Sequence, residues 1–141
     1  MAGRTTSVQR RVLLRANSAD RQAALLGAGA LAFGVLPAIW PSQFARLCGI
    51  AAANDPTVAT AIRSVGVRDA VIGVGLLTAV NRNDPSWPNW LLARAVSDSG
   101  DTLAVALAVA QGVRDRRFLG LGGLALAAAV YGWALVLRAR E

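Results

Sequence analysis

The chain has 141 residues, enough for one domain, and combines 55% hydrophobic with only 16% charged residues and a formal net charge of +7. All 15 basic residues are arginine, so there is no lysine for a Schiff base with retinal or pyridoxal phosphate and no histidine for general-base or haem-ligand chemistry. Cys48 is alone, which excludes an intrachain disulfide and a multi-thiolate metal site. The arginines do not alternate with aromatic residues in a stripe, so no nucleic-acid partner is expected.

Residues 1–21 form a basic tail carrying Arg4, Arg10, Arg11, Arg15 and Arg21. Arg10-Arg11 resembles a twin-arginine export signal, but the apolar segment starts only after Asp20 and Arg21. A basic anchor against anionic lipid fits better, with Val8, Val12 and Leu13 on a short interfacial helix.

Residues 22–141 divide into four apolar blocks, predicted as helices over 22–40, 57–80, 90–111 and 118–137. Each is close to the ~20 residues that cross a ~30 Å hydrocarbon core. The first and last carry no internal charge, whereas a soluble bundle would need a polar face on every helix. The fold class is therefore all-α: a polytopic membrane protein, an up-down bundle of four transmembrane helices. Asn54-Asp55-Pro56-Thr57 supplies a cap and a first-turn proline for the second helix. Asn83-Asp84-Pro85-Ser86-Trp87-Pro88 reads as a non-helical turn before the third. Trp40 marks one bundle end, and Trp87, Trp90, Tyr131 and Trp133 the other. With both termini inside, Arg4, Arg10, Arg11, Arg15, Arg21, Arg82, Arg138 and Arg140 face Arg46, Arg114, Arg116 and Arg117 outside. That imbalance places the termini in the cytoplasm of a multi-pass cell-membrane protein.

The second helix contains Arg63, Arg68 and Asp69, and the third Arg94, Asp98 and Asp101. A charge at the bilayer centre costs roughly 2.5–3.5 kcal/mol on insertion scales, so these six are expected to face one another, sum to zero and be buried. Arg94, Asp98 and Asp101 follow i, i+4, i+7 spacing and share one face, flanked by Ser97 and Thr102. Arg63 and Arg68 differ by about 140° in azimuth and reach a common pocket only through their long arms. Arg68 with Asp98 or Asp101 is the expected central pair. Gly66, Gly73 and Gly75 permit close helix approach, and Gly120, Gly122, Gly123, Ala127 and Ala128 offer a small-residue packing face or a homo-oligomer contact. Pro37 is expected to bend the end of the first helix, and Cys48 to be inert. No nucleotide loop, metal constellation or hydrolase elbow is present, so no cofactor or metal is expected.

The string Arg63-x-x-Gly66-x-Arg68-Asp69-x-x-x-Gly73, followed by Asp98-x-x-Asp101 one helix later, resembles the four-helix membrane proteins grouped as "domain of unknown function 4267". The resemblance spans roughly residues 57–137. It implies four helices with the Arg/Asp motif facing inward, and it carries no established reaction.

Three functions compete. In the first, a lipophilic small molecule enters from the bilayer and Arg63, Arg68 and Arg94 are its binding candidates, with Arg68 and Arg94 orienting the aspartates or holding an anionic group of the substrate. Asp98, Asp101 and Asp69 then serve as acid/base groups for cyclisation or isomerisation, because carboxyls that differ in burial and arginine contact can differ in protonation. In the second the chain is a proton-linked carrier. The absence of any ionisable residue in the first helix separates it from small multidrug exporters. In the third it is a non-catalytic membrane subunit whose Arg/Asp network is a structural lock. Whether it is an enzyme is left open.

Overall fold

The computed structural model describes the backbone of residues 7–139 and the side chains of residues 18–139. Arg4, Arg10, Arg11 and Arg15, the apolar Val8, Val12 and Leu13, and Arg140 lie outside the described side chains. Among the described residues there are five helices and no strand: α1 (Ser7–Ile39), α2 (Pro41–Leu47), α3 (Pro56–Asn81), α4 (Trp87–Ala110) and α5 (Arg116–Ala139). Three segments are long and apolar enough to cross a membrane: Ser18–Ile39, Pro56–Asn81 and Arg116–Ala139. Their outer faces present Val35, Val67, Val71, Leu126, Val130 and Leu137 unburied, as lipid-facing helices do. α4 has the length of a span, but Arg94, Asp98 and Asp101 lie in its middle.

Three boundaries differ from expectation. α1 begins at Ser7 and not at residue 22, so the described part of the basic tail is continuous with the first apolar helix. Residues 41–47, expected as loop, form α2, because Pro41 at the first helical position suits a helix start and Trp40 breaks the chain with φ −122° and ψ 62°. Trp87 and Pro88, expected in a non-helical turn, are the first residues of α4, where a proline loses no intrahelical hydrogen bond.

Local chemistry ends each helix. The Asp55 carboxylate accepts from the backbone N–H of Thr57 at 2.7 Å and of Val58 at 3.2 Å, capping α3. Asp115 accepts from the Arg117 N–H at 2.8 Å in the first turn of α5. Gly112, with φ +104°, closes α4, as its N–H donates to Val109 O and that of Val113 to Ala108 O.

α1 packs most closely on α3, and α4 on α5; the two pairs meet mainly along α3 and α4. The α1–α3 contact is made by glycine. A Cβ on Gly66 would lie 2.6 Å from both Gly34 O and Ala38 N, and one on Gly73 would lie 2.7 Å from Gly27 O. Gly27 and Gly34 are seven residues apart, as are Gly66 and Gly73, so the antiparallel backbones touch twice along one stripe. Buried Pro37 lies inside α1 and packs on the same stripe. Gly75 lies under the Trp90 indole at the α3–α4 contact, and Gly122 under Val105 at the α4–α5 contact.

Candidate functional site

Five ionisable side chains from α3 and α4 join in one network. Short connection and antiparallel register bring residues 68 and 69 level with residues 94–101. The Arg68 guanidinium takes Asp101 in a bidentate grip, Nη1 to Oδ1 at 3.1 Å and Nη2 to Oδ2 at 2.6 Å. It also folds back on its neighbour: Nε and Nη2 donate to Asp69 Oδ1 at 3.0 and 2.9 Å. The other oxygen of Asp69 lies 3.2 Å from Arg94 Nη1, and Arg94 Nη2 lies 2.7 Å from Asp98 Oδ1, one turn along α4. Asp69 is thus the link between the two arginines. Asp69 and Asp98 are each 2% exposed and Arg94 8%, whereas the side chains of Arg68 and Asp101 are 35% and 30% exposed.

The central pair is Arg68 with Asp101, while Asp98 belongs to Arg94 on its own helix. Arg63 is corrected: it is exposed and has no ion-pair partner among the described residues. Its 140° offset from Arg68 turns it out of the pocket, and its arm does not fold back. The expected neutral sextet is therefore two arginines and three aspartates. Thr102 hydrogen-bonds the Asp98 backbone carbonyl at 2.7 Å and not a carboxylate. Among the described residues three buried side-chain polar atoms have no hydrogen-bond partner: Arg94 Nη1, whose contact with Asp69 is an ion pair without hydrogen-bond alignment, Ser97 Oγ and Asp98 Oδ2.

Beside this network lies a cavity of about 570 Å³ between the two helix pairs. Asp69, Arg94, Asp98 and Asp101 form its polar part. Its walls are apolar and come from all five helices and the loop after α2, including Leu26, Phe33, Phe44, Ile62, Val105 and Leu121. The sequence reading missed these wall residues. Their signal was the small side chains of Gly29, Ala30, Ala104, Ala125 and Ala128, which leave space where facing helices do not close. Ala128, expected in a packing or self-association face, lines this cavity. Gly120 and Gly123 are exposed with open space around them. The Trp133 indole N–H donates to Ser99 Oγ at 3.1 Å, in the middle of α4, so this side chain bridges α5 and α4. Among the described residues no three His, Cys, Asp or Glu side chains converge as a metal site.

At the end carrying α2, Arg117 Nη1 donates to Arg46 O at 3.0 Å, and Arg46 donates to Asn54 Oδ1 at 3.0 Å. The Asp115 carboxylate occupies the place where a Cβ of Gly49 (φ +68°) would stand. These contacts hold the loops over the cavity end lined by Phe44 and Ile50. The Arg117 guanidinium and the Arg117 N–H hold the Asp115 carboxyl below its ordinary value, and burial raises the Cys48 thiol.

Apolar helices with lipid-like outer faces, joined by a buried Arg/Asp network, define this as a membrane helical protein. The chain belongs to the family described as Domain of unknown function (DUF4267), whose model matches residues 27–137. The match begins in α1 and so extends beyond the stretch from residue 57 on which the resemblance was noted. Comparison with curated proteins and with solved structures found no match.

Proposed function

We propose that the protein crosses the cell membrane four times, with α4 as the additional span, and binds a lipophilic small molecule in the cavity beside the Arg/Asp network. Charges buried on the α3-facing side of α4 are compatible with a span because they meet protein and not lipid. The arginine distribution supports cytoplasmic termini.

The cavity carries the binding reading. Ligand sites are concave, mostly apolar and oriented by a few polar groups, and this one has hydrocarbon walls with charged side chains on one side. α1 and α5 make little contact, so entry from the bilayer is open between them. Conversion of the bound molecule, by cyclisation or isomerisation, is the catalytic extension. Asp98 is its acid/base candidate because one oxygen is free of arginine, with Asp101 and Asp69 as the further candidates. Arg68 and Arg94 then act as positioning groups.

A structural lock is the second reading, favoured by the pairing of both arginines within the network. The carrier and subunit readings rest on no contact of this kind. The exposed face with Gly120, Gly123 and Ala127 is the surface through which two copies would associate.

The test is native mass spectrometry of protein purified from its membranes. A retained small molecule, lost when Ala104→Trp fills the cavity, supports binding. A bare wild-type protein that also fails to take up added hydrophobic probes supports the lock.

A further inference from the structure

The network contains three carboxylates and two guanidiniums, connected in the order Asp101, Arg68, Asp69, Arg94, Asp98. Arg63, the third cation expected from the sequence, is exposed and outside it. Fully ionised, the network has a formal charge of −1 in surroundings where uncompensated charge is costly. The imbalance is visible atom by atom. Five of the six carboxylate oxygens have an arginine nitrogen within 3.2 Å, and the sixth, Asp98 Oδ2, is buried with no hydrogen-bond partner. Asp98 lines the cavity, and its side chain is 3% exposed. Asp101 lines it too, with 30% of its side chain accessible.

An anionic head group would add a second negative charge, and both guanidiniums already face carboxylates; even Arg94 Nη1, which lacks an aligned hydrogen bond, lies 3.2 Å from Asp69 Oδ2. A neutral head group would leave the charge unbalanced. A protonated amine supplies one positive charge and several N–H donors but no acceptor, the complement of an acceptor-only carboxylate. Taking the cavity as the ligand site, we propose that its ligand is a lipophilic amine, with the ammonium against Asp98 and Asp101 and the hydrocarbon body along the Phe33, Ile62 and Leu121 walls. Of the two roles the sequence offers Arg68 and Arg94, this keeps the one in which they hold the carboxylates in place and drops the binding of an anion.

The experiment uses the full chain in phosphatidylcholine nanodiscs at neutral pH, with retention of radiolabelled decylamine, decanol and decanoic acid measured against empty discs. Saturable decylamine binding, about tenfold or more tighter than decanol and with decanoic acid weakest, is expected. Asp98→Asn should bring decylamine to the decanol level, and Gly29→Leu, which projects into open space at the cavity wall, should weaken all saturable binding. The comparison of head groups in the wild-type protein stands whether or not Asp98→Asn folds. Equal binding of amine and alcohol means that a proton balances the network, and it overturns the proposal, as does preference for the acid; either result leaves the cavity a binding site. Absence of saturable binding by all three probes overturns the binding reading itself.

Discussion

Arg68 holds both oxygens of Asp101 across the α3–α4 contact, at 3.1 and 2.6 Å, while the same guanidinium is anchored from behind by Asp69. The two carboxylates are not equivalent. Asp101 is partly accessible and meets one arginine; Asp69 is buried and meets two.

Asp69→Ala is therefore expected to be the most damaging change in the network. It leaves buried Arg94 with Asp98 as its sole counter-ion and removes the anchor of Arg68. Breaking a buried pair from one side costs about 3–5 kcal/mol, whereas Asp101→Asn leaves Arg68 paired with Asp69 and should cost clearly less. Reversible unfolding in mixed detergent micelles measures both, and equal costs would refute Asp69 as the link.

The glycine stripe predicts a contrast between positions that look alike in sequence. Gly66→Ala places a methyl group against the α1 backbone and should destabilise by about 1–3 kcal/mol. Gly100→Ala meets nothing within 4 Å and should be neutral or stabilising by up to about 1 kcal/mol. Thermal unfolding of the two variants side by side decides.

Acid should loosen the α4–α5 connection. The Asp115 carboxyl is held below its ordinary value by the Arg117 guanidinium and N–H, so at moderately acidic pH the unfolded chain binds more protons there than the folded one. The stability it contributes is complete above the ordinary carboxylate range and is lost as pH falls through its lowered value. The protection of the Arg117 amide, measured against its intrinsic exchange rate at each pH, should fall over that window, and Asp115→Asn should remove this change in protection.

Orientation gives a labelling experiment. In a Cys48→Ser background, a cysteine at Gln111 should react with an impermeant maleimide added to intact cells, and one at Pro85 only after the cells are opened. The native thiol of Cys48, half-buried and raised by that burial, should react slowly and faster at alkaline pH. The opposite labelling pattern would place the termini outside.

Much of this architecture is legible along the chain because it depends on near neighbours. Uncharged apolar runs announce α1 and α5, Asp55-Pro56 announces the start of α3, and Arg94, Asp98 and Asp101 must share a face because helical periodicity is local. The same periodicity places Arg68 and Asp69 level with α4 once the turn is known to be short. Partner choice is another matter. Whether Arg68 takes Asp98 or Asp101 depends on about one helical turn of register between α3 and α4, set in part by Gly75 under the Trp90 ring. Arg63 satisfies the same composition rule as Arg68, yet its position around α3 leaves it exposed. The cavity is the least local feature: it exists because α1 seats on α3 and α4 on α5 more tightly than the pairs seat on each other. Sequence alone determined that charges would be buried among apolar helices; tertiary packing decided how many, which oxygen was left unpaired, and that a space lies beside it, since each of these is a difference between interhelical distances that no single helix contains.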